Sequence, residues 1–81
     1  MKTVTGFALI STAPNKERHV LDSLRGMGFV KESHLLAGEY DIISKIESRE
    51  IHDIGSVVVN KIRRIDGVIH TKTLCSFNLD A

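Results

Sequence analysis

The residues best suited to chemistry in this sequence lie in one short stretch, Gly38-Glu39-Tyr40-Asp41, near the middle of the chain. It joins the chain's only tyrosine to two acids and begins with a glycine, which lets a backbone approach a ligand closely. N–H groups at such a turn bind a small carboxylate, Asp41 pairs with an ammonium group, and the Tyr40 ring covers an aliphatic side chain. The stretch therefore predicts a binding turn.

Two threonines farther along the chain add hydroxyl groups to this hypothesis. Thr71 and Thr73 are two residues apart, so in a strand both project to the same side. With Gly38, Tyr40 and Asp41 they form a predicted ligand-binding set that suits a zwitterion such as an amino acid. The alternative is an ordinary β-turn, in which backbone groups satisfy Asp41 and the threonines only favour a strand. The residues alone leave both interpretations open.

No set of residues is typical of catalysis, of a cofactor or of a resident metal. The serines lack a local histidine–acid arrangement, and the four histidines have no companion at metal-ligand spacing. The single cysteine, Cys75, cannot form an internal disulfide and is expected to be a small buried hydrophobe. We therefore expect a protein that is not an enzyme and that uses no cofactor.

Hydrophobic periodicity predicts the elements that position the turn. Four segments are predicted as strands, in which successive residues face opposite sides: residues 4–12, with apolar groups on both faces, and residues 29–37, 41–47 and 68–77. Between them, apolar residues recur at helical spacing from Val20 to Met27 and from Ile51 to Ile65, with Ser48 as the predicted N-cap of the second helix. This βαββαβ order predicts an α+β, ferredoxin-like fold: a four-stranded antiparallel sheet with two helices on one face.

The other face of that sheet is predicted to be bare. It would carry Phe7 and Leu9, more exposed apolar surface than a soluble monomer usually shows. A chain of 81 residues also buries only about 60% of its unfolded surface, so it gains stability from self-association. We therefore predict dimerisation through the sheet.

Length and composition limit the other function classes. Residues 1–81 suffice for one domain, and the formal net charge of +1 argues against nucleic acid as a direct partner. The third predicted strand, residues 41–47, also lacks the aromatic residues of an RNA-recognition sheet. No segment is long and apolar enough for a signal peptide or a membrane span, and a lone thiol suits a reducing compartment. We expect a cytoplasmic protein without a membrane partner.

Three features taken together resemble a known family over almost the whole chain. They are Val4–Ile10 (VTGFALI), the Gly38–Asp41 turn, and Ile62–Val68 (IRRIDGV) running into Thr71–Thr73. In this combination the chain resembles the effector domain, or RAM domain, of the leucine-responsive Lrp/AsnC transcription regulators. The resemblance implies a ferredoxin-like fold, dimers joined through their sheets, and higher assemblies, commonly octamers.

The resemblance also implies a function and a site. Amino-acid effectors of this family bind between dimers near the turn that here is Gly38–Asp41, and Thr71 and Thr73 match strand positions that often contribute. Full-length members carry an N-terminal helix-turn-helix domain, for which this sequence has no room. We therefore expect a single stand-alone effector domain, which senses an amino acid or joins and modulates full-length regulators.

Three hypotheses of different classes follow. The leading one is an amino-acid-binding and oligomerisation module linked to transcriptional regulation of amino-acid metabolism. The second is a purely structural assembly module that modulates full-length regulators and whose pocket is vestigial. The third is a small enzyme of the dimeric α+β barrel type, which shares the topology and the sheet packing.

Overall fold

Strands and helices follow one another in the βαββαβ order that the sequence predicts. The computed structural model describes residues 3–76. Its elements are β1 (Val4–Thr12), α1 (Glu17–Arg25), β2 (Val30–Leu35), β3 (Ile42–Ser48), α2 (Ile51–Val57) with a π-helical continuation (Val58–Ile62), and β4 (Val68–Cys75). The predicted α+β, ferredoxin-like architecture is confirmed.

The strands form one antiparallel sheet in the order β2-β3-β1-β4. Strands β1 and β3 are therefore central, and β2 and β4 are the edges. The register places Ala8 of β1 between Ser44 of β3 and Thr73 of β4. Directly opposed residues of antiparallel strands share a face, so this register fixes which side chains lie together.

The core lies between one face of the sheet and both helices. Its strand residues alternate along the two central strands, as a half-buried sheet requires: Ala8, Ile10, Ile42 and Ile46. The helices add residues at helical spacing: Val20, Leu21, Leu24, Ile54, Val58 and Ile62. All these residues are at most 3% exposed, so the predicted placement of both helices on one face is confirmed.

The opposite face of the sheet, which we call the open face, has no cover from the residues that the structure describes. Phe7, Leu9 and Ile43 are half-buried there, and Leu74 of the edge strand is 47% exposed. The predicted division of β1 into a helix-covered face and an open face carrying Phe7 and Leu9 is therefore confirmed.

The second helix differs from its prediction at both ends. Ser48 is not its N-cap but the last residue of β3, and its Oγ donates to Asp53 Oδ2 at 3.3 Å. The helix begins at Ile51, which is 58% exposed and is therefore not part of the buried apolar stripe. It ends at Ile62, three residues earlier than predicted, through a π-helical turn closed by the bond from Arg63 N to Val58 O.

The last strand corrects a second expectation. Cys75 is exposed and not a buried hydrophobe, because it lies at the end of the edge strand β4, opposite Gly6. The predicted strand continued to Phe77, which lies outside the described residues. Within residues 3–76, no helix is long and apolar enough to cross a membrane.

Candidate functional site

The predicted binding turn is part of the connection between β2 and β3. Gly38 has a φ of 152°, at the margin of the region that side chains with a Cβ avoid. A Cβ on Gly38 would meet no atom within 4 Å, so backbone conformation and not space selects glycine here. Gly38 and Glu39 are exposed, whereas Tyr40 and Asp41 are half-buried. The turn is therefore open to solvent on its first two residues and held at its last two.

Asp41 holds the turn against the end of β1. Its Oδ2 accepts a 2.7 Å hydrogen bond from Thr12 N and a 3.3 Å bond from Thr12 Oγ1. Its backbone N–H donates to Ile10 O, and its carbonyl accepts from Leu36 N, both at 2.8 Å. The pairing of β1 with β3 ends where Ile10 lies opposite Ile42, so the N–H of Thr12 lies beyond the end of that ladder. The Asp41 carboxylate satisfies the N–H at this point.

Tyr40 reaches across the end of β1 to the edge strand. Its ring stacks on the imidazole of His70, with 6.2 Å between centroids and 25° between planes. That geometry is within the range of favourable aromatic pairs. His70 is opposite Ser11 in the register, which places it on the open face. Tyr40 therefore belongs to the open-face side of this corner of the sheet.

The two predicted threonines lie on the other side of the sheet. Thr71 is opposite Ile10 and Thr73 is opposite Ala8, both of which are core residues on the helix-covered face. Both threonines are half-buried along the free side of the edge strand β4. The structure thus brings Tyr40 and Asp41 to one corner, and it places the threonine side chains on the face opposite to the Tyr40–His70 stack.

A depression of about 260 Å³ lies elsewhere, on the open face. Its lining is Phe7, Glu32, His34, Ile43 and Lys45, from the three strands β1, β2 and β3. Glu32 pairs with His34 Nε2 at 3.2 Å and with Lys45 Nζ at 3.8 Å. This shallow surface is apart from the predicted turn, so a concave pocket and the predicted site do not coincide within the described chain.

One group of side chains has the donors for a metal ion. Glu50, His52 and Asp53 place one ligand atom each within 4.8 Å of one another at the start of α2. His52 Nε2 lies 3.3 Å from Glu50 Oε2 and 3.4 Å from Asp53 Oδ1. The helix dipole at this end disfavours a cation, and Glu50 and His52 are exposed. The three groups are best described as a surface ion-pair cluster.

Comparison with known proteins identifies the domain. A family model described as the Lrp/AsnC ligand binding domain matches residues 5–78, which is nearly the whole chain. The chain belongs to the Lrp/AsnC family. The predicted resemblance is therefore confirmed.

Similar proteins fit this assignment. The uncharacterized HTH-type transcriptional regulator PH1916 of Pyrococcus horikoshii is 37% identical over 76 residues, which are 90% of this chain and 51% of the relative. The chain spans about half the length of the first curated relatives it matches, and these are named as transcriptional regulators.

Solved structures share the fold. The structure of FFRP-DM1 superposes with a TM-score of 0.86 at 38% identity, covering 91% of this chain and 99% of that chain. The transcriptional regulator NMB0573 of Neisseria meningitidis, solved as a complex with L-Met, gives a TM-score of 0.82 at 17% identity, covering 94% and 51%. At that identity the likeness is one of fold alone.

The sequence did not indicate two residues that contact Tyr40 and Asp41 in this Lrp/AsnC domain. Thr12 is 29 positions before Asp41, and only the register of β1 against β3 shows that its N–H lies past the end of that ladder. His70 is 30 positions after Tyr40, and nothing in the sequence of β4 distinguishes it from the other polar residues of that strand. The neighbouring Thr71-x-Thr73 motif was the available signal, but it pointed to the opposite face.

Proposed function

We propose that this Lrp/AsnC domain binds an amino-acid effector and transmits that binding, through oligomerisation, to transcriptional regulation of amino-acid metabolism. The observation that carries the proposal is the Gly38–Asp41 turn, which is exposed at its first residues and pinned at Asp41 to the end of β1. A pinned turn offers its backbone N–H groups to a ligand without first having to be ordered, which favours binding.

Each group of the turn has a role in the proposed complex. The backbone at Gly38 receives the effector carboxylate, because no side chain blocks the approach. Both bonds from Thr12 end on Asp41 Oδ2, which leaves Oδ1 to pair with the effector ammonium group. The Tyr40 ring supplies a flat surface for an apolar side chain.

The threonines enter this proposal through a second copy of the chain. Thr71 and Thr73 lie on the free edge of β4, on the face opposite to the Tyr40 ring. A ligand that contacts both the turn and the two threonines is best accommodated where two copies meet. One copy would then supply the turn and the other the edge strand β4. A contact along this edge is separate from the open face and would join one dimer to another, which supports the expectation of higher assemblies such as octamers.

Calorimetric titration with each of the twenty amino acids tests the proposal. We expect at least one to bind, and we expect Asp41→Asn to weaken it at least tenfold, because the amide cannot pair with an ammonium group as an anion does. Glu39→Gln is the matched control, since Glu39 is an exposed acid two residues away. No binding by any amino acid would refute the proposed function, and equal loss in both variants would refute the assignment of Asp41.

Dimerisation through the open face has its own test. Leu9→Lys places a charge in the centre of that face. Leu35→Lys is the control, because Leu35 is an exposed residue of the edge strand β2 that lies opposite Ile42, on the helix-covered side of the sheet. We expect the first change to give monomers in light-scattering measurements and the second to leave the assembly intact. Dissociation by both changes, or by neither, would show that the subunits do not meet through this face.

A second candidate function is that of an assembly module whose pocket is vestigial. It is favoured by the Thr12 bonds, which already engage Asp41, and by the depression on the open face instead of at the turn. In this case the 81-residue chain joins full-length Lrp/AsnC regulators without an effector. Co-purification with such a regulator, equal with and without the twenty amino acids, would favour this candidate; amino-acid-dependent association would favour effector binding.

A further inference from the structure

The ring of Tyr40 is less constrained than the Asp41 carboxylate beside it. Asp41 is fixed through both its backbone groups and its carboxylate, but these bonds do not orient the neighbouring phenol ring. The Tyr40 ring is half-buried although Gly38 and Glu39 beside it are exposed. The aromatic contact that the structure records for it is the stack on His70.

We propose that His70 is a positioning residue of the effector site, which holds the Tyr40 ring in the orientation that receives the effector side chain. This inference rests on the proposed function and adds to it a residue outside the predicted set. The stack ties the turn to β4, two elements that are joined through the sheet only by way of β1. Loss of the imidazole frees the ring to leave the corner, so an effector would first have to order it.

The chain provides an unusually specific probe of this contact. Tyr40 is its only tyrosine and there is no tryptophan, so intrinsic emission excited near 280 nm reports on Tyr40 alone. An imidazolium ion in contact with a phenol quenches its emission more than neutral imidazole does. Other charged groups near this corner are Asp41, beside Tyr40, and Lys72, two residues along β4 from His70. A histidine ordinarily changes its charge between about pH 5 and 8, a range in which carboxylates and lysine ammonium groups ordinarily do not.

Tyrosine emission measured across that pH range, without effector, tests the contact directly. We expect a titration in the wild-type protein, its loss in His70→Phe, and its retention in His34→Ala. His34 is the control because it is an exposed histidine on the other edge strand, on the same face of the sheet. An unchanged titration in His70→Phe would overturn the inference.

Calorimetric titration with the twenty amino acids then tests the link to binding. We expect His70→Ala to raise the Kd of whichever amino acid binds by roughly three- to tenfold, which corresponds to the usual range for an aromatic pair. His70→Phe restores a flat partner, so its Kd should stay within about twofold of the wild type. Equal melting temperatures would show that the fold is intact, as expected for an exposed residue.

The outcomes separate the two proposals. If the wild-type protein binds no amino acid, the proposed function fails, whatever the fluorescence shows. If it binds one with the same Kd in wild type and His70→Ala, the proposed function stands and the positioning role of His70 is wrong. If His70→Phe binds as weakly as His70→Ala, the imidazole does something other than support the ring, and the inference is likewise overturned.

Discussion

Replacement of Asp41 by alanine removes the acceptor that holds the turn to the end of β1. The main loss is the 2.7 Å bond to Oδ2 from the backbone N–H of Thr12, a residue that is only 8% exposed. A hydrogen bond to a charged group is worth about 1.5–3 kcal/mol, and a buried N–H left without an acceptor costs free energy of similar size. Because Asp41 is half-buried, water replaces part of the interaction, and we expect a loss of about 2 kcal/mol.

Thermal and denaturant unfolding at one fixed protein concentration measures this loss. For a domain of this size about 2 kcal/mol lowers Tm by roughly 8–16 °C. Asp41→Asn keeps a neutral acceptor for the Thr12 N–H and should lose about half as much, since neutral bonds are about half as strong. Glu39→Ala, an exposed acid in the same turn, should stay within about 0.5 kcal/mol of the wild type. If Asp41→Ala were as stable as Glu39→Ala, Asp41 would not anchor the turn.

Three further predictions concern other parts of the fold. Gly6→Ala should cost about 1–3 kcal/mol in denaturant unfolding, because the new Cβ would lie 2.6 and 2.8 Å from side-chain carbons of buried Ile54; a neutral result would disprove this close approach. The hydrogen bond from Lys16, and secondly its charge, hold the pKa of Asp66 below its ordinary value. The pair therefore stabilises the fold fully above about pH 4, the ordinary pKa of an aspartate, and this stabilisation is lost as the pH falls through the lowered pKa. An NMR titration of Lys16→Met should show the pKa of Asp66 returning upward, and no change would exclude the ion pair. Ser44→Ala should lower the free energy of unfolding by about 1–2 kcal/mol, because it leaves the buried hydroxyl of Ser33 without its 2.8 Å hydrogen-bond partner. Alanine at both positions should recover most of that stability, which double-mutant denaturant unfolding would measure.

The fold was predictable because its signals are local and periodic. Alternation along β1 and β3 separated Ala8 and Ile10 from Phe7 and Leu9 correctly, since period-2 burial follows from strand geometry. The boundaries that failed depend on tertiary packing. Ser48 has the composition of an N-cap, but pairing with Val4 retains it in β3, and hydrogen bonding along the ladder outweighs a cap preference. The exposure of Cys75 likewise depends on its edge position.

The site was only partly predictable, because its contacts are long-range. The turn and its carboxylate could be proposed as a candidate site from Gly38–Asp41 alone. The partner of that carboxylate could not, since it depends on where the pairing of β1 with β3 ends, which no local pattern marks. For the same reason the side of the sheet on which His70 lies became clear only from the register of β4 against β1.

The division of the predicted residues between two faces bears on where an effector binds. In a single chain the Tyr40 ring and the hydroxyls of Thr71 and Thr73 are on opposite sides of β4, so one small ligand would have to pass around the strand edge to touch both. That edge is free of any neighbouring strand in the described sheet. Two copies approaching along it would place the threonines of one beside the turn of the other. We therefore expect the Kd of the effector to depend on assembly: a variant that light scattering shows to be monomeric should bind more weakly than the assembled protein, and equal affinity would place the whole site within one chain.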